Sequence, residues 1–152
     1  MADVTAQDVK SLRDATGAGM MDAKKALIEA EGDAEVAAQI LREKGLAKAA
    51  TRTDRENAEG SVAVVAEGNK AALVHIKCET DFSAKSEQFQ TFVDSLTANV
   101  FSNGVDAVDG YTQELDDLRL SIKENVEVGK VEVVEAEEGN LIDVYLHKQD
   151  GR

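Results

Sequence analysis

The side chains best suited to covalent chemistry are a thiol and an imidazole near the middle of the chain. Cys78 and His75 could serve as the nucleophile and the base of a thiol enzyme. They belong to an alternating run around Ala72 to Lys77 that predicts a strand. Because they are an odd number of residues apart, they project from opposite faces, and Cys78 shares the face of Val74 and Ile76. This spacing favours a buried structural thiol and leaves a thiol enzyme as the alternative.

The stretch that follows this strand, residues 78–85, could act by contact with a partner, and we name it the Phe82 corner. It leads into an amphipathic helix and contains no glycine or proline. Asp81 and Ser83 can accept backbone N–H groups at the start of that helix. Phe82 lies between these two polar residues, where an aromatic side chain suits insertion into the pocket of a partner. Alternatively, Phe82 folds back onto its own core and Asp81 only caps the helix, which the residues alone favour.

Patterns elsewhere in the chain argue against other kinds of site. Gly17-Ala18-Gly19 follows no strand, and no Lys-Ser or Lys-Thr pair closes it, so it does not have the pattern of a phosphate-binding loop. A later helix is predicted to present a solvated face formed by Asp116, Asp117, Lys123 and Glu124. A metal cage needs several carboxylates that converge from one loop, and this pattern is absent from the helix. We therefore predict no catalytic residue, no metal site and no cofactor.

The composition predicts a folded protein with an acidic surface. The chain has 152 residues, of which 43% are hydrophobic, a single cysteine and a net charge of -13. Beyond Gly60 there are 18 acidic and 8 basic residues, which disfavours direct binding of nucleic acid. The charge suits a partner with a basic face, or it only maintains solubility. With no apolar run of membrane length and no secretion signal, we expect a cytoplasmic protein without a membrane contact.

The first part of the chain predicts helices separated by glycine turns. Thr5 and Asp8 have the spacing of a capping box, so the first helix should begin near Ala6. The run Gly17-Ala18-Gly19 ends it, and a second helix is expected from Met20 to Glu31.

A third helix is expected to be capped by Asp33 and to end at Gly45. Residues 1–45 therefore predict a compact three-helix bundle of the ubiquitin-associated shape. Residues 46–59 have mixed charge and little periodicity, which predicts a linker that could be helical at its start.

The remainder of the chain predicts antiparallel strands and helices. Two alternating runs around Gly68-Asn69 predict a hairpin, which joins two helices in a core half over residues 60–125. The fold class is therefore α+β, with the bundle followed by an antiparallel-sheet and helix core whose second half is incomplete.

A second hairpin is predicted within residues 126–152. Its first strand should extend from Val126 to Glu137, with a bulge at Gly129. A turn at Gly139-Asn140 should lead into a return strand from Leu141 to His147.

Two motifs resemble the bacterial elongation factor Ts family. The run from Val9 to Leu27, VKSLRDATGAGMMDAKKAL, is similar to the opening motif of that family. The run from Glu79 to Lys85, ETDFSAK, with Phe89 following, is similar to its central motif. The motifs occur in the family's order, and the resemblance extends to about His147.

The resemblance implies an architecture for the whole core. The cores of the family consist of two related halves, and most members continue with further strands and helices. The chain is therefore expected to be either a fragment or a short form that completes its core as a homodimer, through the edge of the C-terminal hairpin.

The resemblance also implies a function that involves no covalent chemistry. Elongation factor Ts is the guanine nucleotide exchange factor for elongation factor Tu, the GTPase that delivers aminoacyl-tRNA to the ribosome. The resemblance implies that Thr80, Asp81, Phe82 and Ser83 form a wedge that displaces the Mg2+ site of the partner and promotes GDP release. The family usually has valine at the position of Ser83, so a weaker wedge is expected.

A second contact is implied for the N-terminal bundle, which would dock on the nucleotide-binding domain of elongation factor Tu. The candidate contact residues are Arg13, Met20, Met21 and Lys24. Methionine side chains adapt well to partner surfaces, although they also fill cores. The alternative function is a non-exchanging adaptor that uses the bundle to bind another protein.

Overall fold

The chain forms two compact units in the computed structural model, which describes residues 3–147. The first unit extends to Thr51 and consists of helices, and the second begins at Arg52 and contains an antiparallel sheet. The α+β class predicted from the sequence is therefore confirmed.

Helices α1 (Ala6–Thr16), α2 (Met20–Glu29) and α3 (Ala34–Ala50) make up the first unit. The predicted capping box is present, because the Asp8 N–H donates to Thr5 Oγ1 at 3.2 Å and the Thr5 N–H donates to Asp8 Oδ2 at 3.0 Å. The helices pack through a small aliphatic core made of Val9, Leu12, Ala23, Ala26, Leu27, Ala30 and Ala37. The likeness to ubiquitin-associated domains stays a prediction.

The third helix does not end at Gly45, as predicted, but continues to Ala50. The residues after the glycine are good helix formers, and their propensities offset the cost of about 1 kcal/mol that a glycine imposes inside a helix. No proline follows to stop the helix, since the chain contains none. The predicted linker, residues 46–59, therefore begins as helix and leaves it only at Thr51.

A three-stranded antiparallel sheet forms the base of the second unit. Its strands are β1 (Glu59–Glu67), β2 (Lys70–Cys78) and β3 (Glu127–Glu135), in the order β1-β2-β3. The predicted hairpin is confirmed, because β1 and β2 pair on either side of the two-residue turn Gly68-Asn69. Gly68 has a φ of 60°, in the left-handed region that glycine adopts without strain.

Three helices complete this unit: α4 (Asp81–Ala84), α5 (Glu87–Asn103) and α6 (Thr112–Ile122), with a 3-10 helix over Val105–Tyr111 between the last two. Helix α5 lies against β2, whose alternate residues are buried. The central core residues are Ala72, Val74, Ile76, Cys78, Phe89, Phe92, Val93, Leu96 and Val100. The alternation of the strand and the apolar stripe of the helix therefore meet in one core.

Strand β3 contains the bulge predicted at Gly129. The register of β2 against β3 shifts between Val74 and Ile76, so that two residues of β3 lie opposite His75. A Cβ atom at position 129 would lie 2.8 Å from His75 Nδ1. The close approach of the His75 ring is the physical reason that this position suits glycine.

The predicted return strand from Leu141 to His147 is wrong, because these residues are irregular. Two backbone hydrogen bonds lead the chain past the end of the sheet instead of back along β3. The Ala136 N–H donates to the Asn69 carbonyl at 2.7 Å, and the Ile142 N–H donates to the Gly68 carbonyl at 2.9 Å. This segment therefore bonds to the β1–β2 turn rather than to a neighbouring strand.

The second hairpin predicted over residues 126–152 is thus absent from the part of the chain that the structure describes. Residues 148–152, which belong to that prediction, lie outside the described residues. The homodimer expected to use the edge of this hairpin stays a prediction, since no second copy tests it.

Helix α6 ends in a sharp turn at Lys123, which has a left-handed φ of 61°. The Lys123 N–H donates to the Arg119 carbonyl at 3.0 Å and closes the helix. The turn leads the chain toward the end of β2, and Val126 is buried in the core just before β3. A residue with a Cβ atom costs roughly 1–2 kcal/mol in this conformation.

Replacing Lys123 by glycine is expected to raise the free energy of unfolding of the second unit by about 0.5–1 kcal/mol. Glycine removes the steric cost of the left-handed turn and adds back a smaller entropic cost in the unfolded chain. Urea unfolding followed by circular dichroism measures the change. A decrease in the free energy of unfolding would show that the Lys123 side chain stabilises the turn by more than its backbone strain costs.

Candidate partner-binding site

The Phe82 corner joins the end of β2 to the start of α5 through the four-residue helix α4. Thr80 caps α4, since the Ser83 N–H donates to Thr80 Oγ1 at 3.2 Å, and Ser86 caps α5, since the Phe89 N–H donates to Ser86 Oγ at 3.3 Å. The capping residues are therefore Thr80 and Ser86 rather than the predicted Asp81 and Ser83. The backbone explains the difference, because a cap residue needs the extended conformation, which Thr80 has, whereas Asp81 is already helical.

Phe82 points away from the core of its own unit. Its side chain is 84% exposed, whereas Ala84 and Phe89 beside it are buried. The prediction that Phe82 folds back onto its own core is therefore wrong. Asp81 accepts a hydrogen bond from Lys85 Nζ at 3.2 Å, one helical turn further along. The corner thus presents an aromatic side chain whose apolar surface is available to a partner.

The carboxylate of Glu124 accepts four hydrogen bonds from the corner. Its Oε2 atom accepts the backbone N–H groups of Glu79 at 3.0 Å and of Thr80 at 3.1 Å. Its Oε1 atom accepts the hydroxyl groups of Thr80 at 2.7 Å and of Ser83 at 2.6 Å. Two of the four predicted wedge residues therefore direct their hydroxyl groups to Glu124, while Phe82 is exposed.

The ionised form of Glu124 is favoured in the folded protein. Burial by itself would raise the pKa of Glu124, but the hydrogen bonds from Ser83, Thr80 and Glu79 outweigh it, and the pKa lies below its ordinary value. The hydrogen bonds therefore contribute stability at neutral pH that is lost as the pH falls through the lowered pKa. At neutral pH the carboxylate is an acceptor for all four donors.

A second set of contacts ties the same segments together. The Asn125 N–H donates to Glu79 Oε1 at 2.7 Å, and Arg55 lies 3.6 Å from that oxygen. The Asn125 amide group donates to the carbonyls of Arg55 at 2.7 Å and Thr53 at 3.3 Å. The end of β2, the turn after α6 and the start of the second unit therefore share one polar network.

The solvated face predicted for Glu124 is wrong. Glu124 lies beyond the end of α6 and contacts residues 41 to 45 positions earlier in the chain. No local pattern in the sequence marks such a contact, because both segments read as ordinary polar residues beside a helix end. Asp116 likewise pairs with Arg119 at 3.1 Å on the half-buried side of α6.

Cys78 is a buried structural thiol, as its spacing predicts. It lies in the core, and its Sγ atom donates to the Thr80 carbonyl at 3.2 Å. Burial, together with the negative charge of Glu124, raises the pKa of the Cys78 thiol to about 11. His75 lies on the other face of β2, where burial lowers its pKa and the charge of Lys77 lowers it further. The thiol and the imidazole are therefore not placed as a nucleophile and its base.

We expect the native Cys78 thiol to react with Ellman's reagent more slowly than the unfolded thiol by roughly a hundredfold or more. The raised pKa lowers the thiolate fraction by about that factor at neutral pH, and burial restricts access further. Comparison of the reaction in buffer and in denaturant measures the ratio. Fast labelling of the native protein would reopen the thiol-enzyme alternative.

The four residues predicted for the N-terminal contact flank the turn between α1 and α2. Arg13 lies in the last turn of α1, and Met20, Met21 and Lys24 lie in the first half of α2. All four are exposed, with Met20 46% and Met21 61% accessible. The two methionines therefore do not fill the core of the first unit, and Ala23, Ala26 and Leu27 take that position instead.

Within residues 3–147, no three His, Cys, Asp or Glu side chains come together as a metal site would require. Among the helices of the same residues, none combines the length and the apolar composition needed to cross a membrane.

The chain is similar in sequence to known proteins. A sequence profile described as "Elongation factor TS" matches residues 79–152, which include the corner from Glu79 onward and Glu124. Proteins named "Elongation factor Ts" from Nautilia profundicola and Idiomarina loihiensis are 40% and 44% identical and align with 97% and 95% of the chain. The chain is therefore similar over almost its whole length to proteins named elongation factor Ts.

A third protein named "Elongation factor Ts", from Wolinella succinogenes, is 42% identical and aligns with 97% of the chain. The alignments cover 52%, 52% and 45% of the three proteins, so the chain spans about half the length of the curated relatives it matches. Both the opening motif and the Phe82 corner lie within the aligned part of the chain, and the resemblance first indicated by these motifs is therefore confirmed.

Proposed function

We propose that the chain is a guanine nucleotide exchange factor for elongation factor Tu in translation elongation in the cytoplasm. The observation that carries this proposal is the exposed phenyl ring of Phe82 on a corner whose backbone is fixed by hydrogen bonds. The relatives named elongation factor Ts support the identity of the partner.

The proposed mechanism is a competition between the corner and the bound nucleotide. Phe82 would enter a pocket that opens beside the Mg2+ and phosphate contacts of elongation factor Tu, and Asp81 would face partner groups that lose their metal or phosphate. Burial of a phenylalanine side chain contributes roughly 1.5–3 kcal/mol, which is available only when the pocket is open. The corner therefore stabilises the nucleotide-free state more than the GDP state.

Thermodynamic linkage relates the binding of the factor to the binding of GDP. A factor that binds the nucleotide-free state more tightly than the GDP state weakens GDP binding, and GDP weakens the binding of the factor by the same ratio. No covalent bond is made or broken in this process. The chain would therefore act without a catalytic residue and without a cofactor of its own.

We further propose that the first unit docks on the partner through Arg13, Met20, Met21 and Lys24. The exposure of the two methionines at the start of α2 supports this, because flexible thioether side chains adapt to a partner surface. Docking by the first unit would raise the local concentration of the Phe82 corner at the nucleotide site.

The decisive experiment measures the release of fluorescent GDP from elongation factor Tu by stopped flow, with and without the chain. An acceleration that saturates with concentration is expected. The absence of acceleration would contradict the proposal. Binding detected by calorimetry without acceleration would instead support the adaptor alternative, in which the first unit binds and the nucleotide site stays closed.

A further inference from the structure

We infer that Glu124 is a positioning residue for Phe82, which holds the corner in the one conformation that presents the phenyl ring. This inference rests on the proposed function of the Phe82 corner. It assigns a role in exchange to a residue that lies 42 positions from Phe82 in the sequence and bonds to the backbone and hydroxyl groups on either side of the ring.

The contacts bracket Phe82 on both sides. Glu124 binds the two N–H groups that precede α4 and the Thr80 hydroxyl, and it binds the Ser83 hydroxyl on the residue after Phe82. A helix of four residues such as α4 has too few backbone hydrogen bonds to be stable alone. Charge-assisted hydrogen bonds to one carboxylate supply the missing constraint.

Glu124 belongs to a short turn that is anchored in the core at both ends. Leu118 of α6 and Val126 are both buried, and the chain between them passes through the left-handed turn at Lys123. Two hydrogen bonds run in opposite directions between these segments. The Asn125 N–H donates to Glu79 Oε1, and the Glu79 N–H donates to Glu124 Oε2. These paired bonds cross-link the end of β2 to the turn after α6.

The physical consequence is preorganisation. Fixing the backbone of a residue costs conformational entropy, and a corner that is already ordered does not lose that entropy on entering the partner. Phe82 itself makes few contacts that would be lost on insertion, since it is 84% exposed. Loss of Glu124 should therefore lower the maximal rate of GDP release more than it weakens docking.

Replacing Glu124 by alanine is expected to lower the maximal rate of stimulated GDP release roughly tenfold or more, because the released corner must then be ordered each time Phe82 enters the partner. The concentration of the chain at half-maximal rate should change much less, because the first unit is untouched. Stopped-flow titration of elongation factor Tu with bound fluorescent GDP yields both quantities. The full chain is used, at a temperature where thermal unfolding shows the variant to be folded.

Two further variants separate positioning from general stability. Glu124→Gln should retain the maximal rate within about threefold, because its amide oxygen accepts the two N–H groups and its NH2 group donates to the two hydroxyl groups. Glu127→Ala is the matched control, since that carboxylate bonds to Asn57 and Lys77 and not to the corner. It should leave the maximal rate near that of the wild type.

A double-mutant cycle tests whether Glu124 acts through Phe82. If it does, Glu124→Ala should add little to the loss already caused by Phe82→Ala. A merely structural role predicts that the two losses multiply. Hydrogen exchange supplies an independent measurement, because the Glu79 and Thr80 amides should exchange faster in Glu124→Ala.

Four outcomes would overturn the inference. A normal maximal rate in Glu124→Ala, when Phe82→Ala is slow, would remove Glu124 alone and leave the proposed function intact. An equal loss of maximal rate in Glu127→Ala would show that the loss in Glu124→Ala comes from lower stability of the fold and not from positioning. A normal rate in Phe82→Ala would remove the proposed function of the corner, and the inference with it. If Glu124→Ala does not fold, Ser83→Ala takes its place, because it deletes one donor to the carboxylate. The inference would then be overturned if Ser83→Ala had a normal maximal rate while Glu124→Gln lost more than threefold.

Discussion

Replacing Phe82 by alanine is expected to slow stimulated GDP release roughly ten- to hundredfold, because burial of the phenyl ring contributes about 1.5–3 kcal/mol and 1.4 kcal/mol corresponds to a factor of ten. The same substitution should leave the free energy of unfolding unchanged, since the side chain is 84% exposed and contributes little to the packing of its own unit. Stopped-flow exchange and urea unfolding of the same preparation test both halves of the expectation.

The result gains its meaning from a conservative control. Phe82→Leu keeps an apolar side chain on the corner and should give a rate between those of the wild type and the alanine variant. An unchanged rate in Phe82→Ala would exclude the ring as the wedge. A large fall in stability would show instead that the ring packs against its own unit, which is contrary to its exposure in the structure.

Replacing Phe89 by alanine is expected to have the opposite profile. Phe89 is fully buried and is the largest of the fully buried side chains of the core between β2 and α5. Truncation of a buried phenylalanine costs about 3–5 kcal/mol, a large share of the roughly 5–15 kcal/mol that stabilises a typical domain. The second unit should unfold at a much lower urea concentration.

The two phenylalanines are controls for each other, because the same atoms are removed seven positions apart. In Phe89→Ala, exchange activity should fall in parallel with the folded fraction and recover at lower temperature as that fraction rises. In Phe82→Ala, activity should stay low wherever the protein is folded. A Phe89→Ala variant as stable as the wild type would place the core elsewhere than the structure does.

Local chemistry accounts for the elements that could be predicted. The capping box of Thr5 and Asp8, the hairpin turn at Gly68-Asn69 and the bulge at Gly129 all depend on residues near one another in the chain. The buried thiol of Cys78 follows from the alternation of a strand, which is a property of the backbone. These features need no knowledge of distant segments.

The incorrect predictions depend on competition between local signals and distant partners. Gly45 resembles a helix stop, but the helix formers that follow it continue the helix to Ala50. The residues from Leu141 onward alternate like a strand, but the Ile142 N–H bonds to the Gly68 carbonyl in the β1–β2 turn and not to β3. A strand needs a neighbour, and the sequence does not show whether one is available.

For the Phe82 corner, the order of residue types along the chain predicts an aromatic side chain between polar residues where a strand meets a helix. The outward direction of the ring follows from the tertiary structure, because the direction of a side chain at a corner depends on which groups the other segments bury and bond. Here Phe89 occupies the core and Glu124, more than forty residues away in sequence, binds the backbone and hydroxyl groups around the ring.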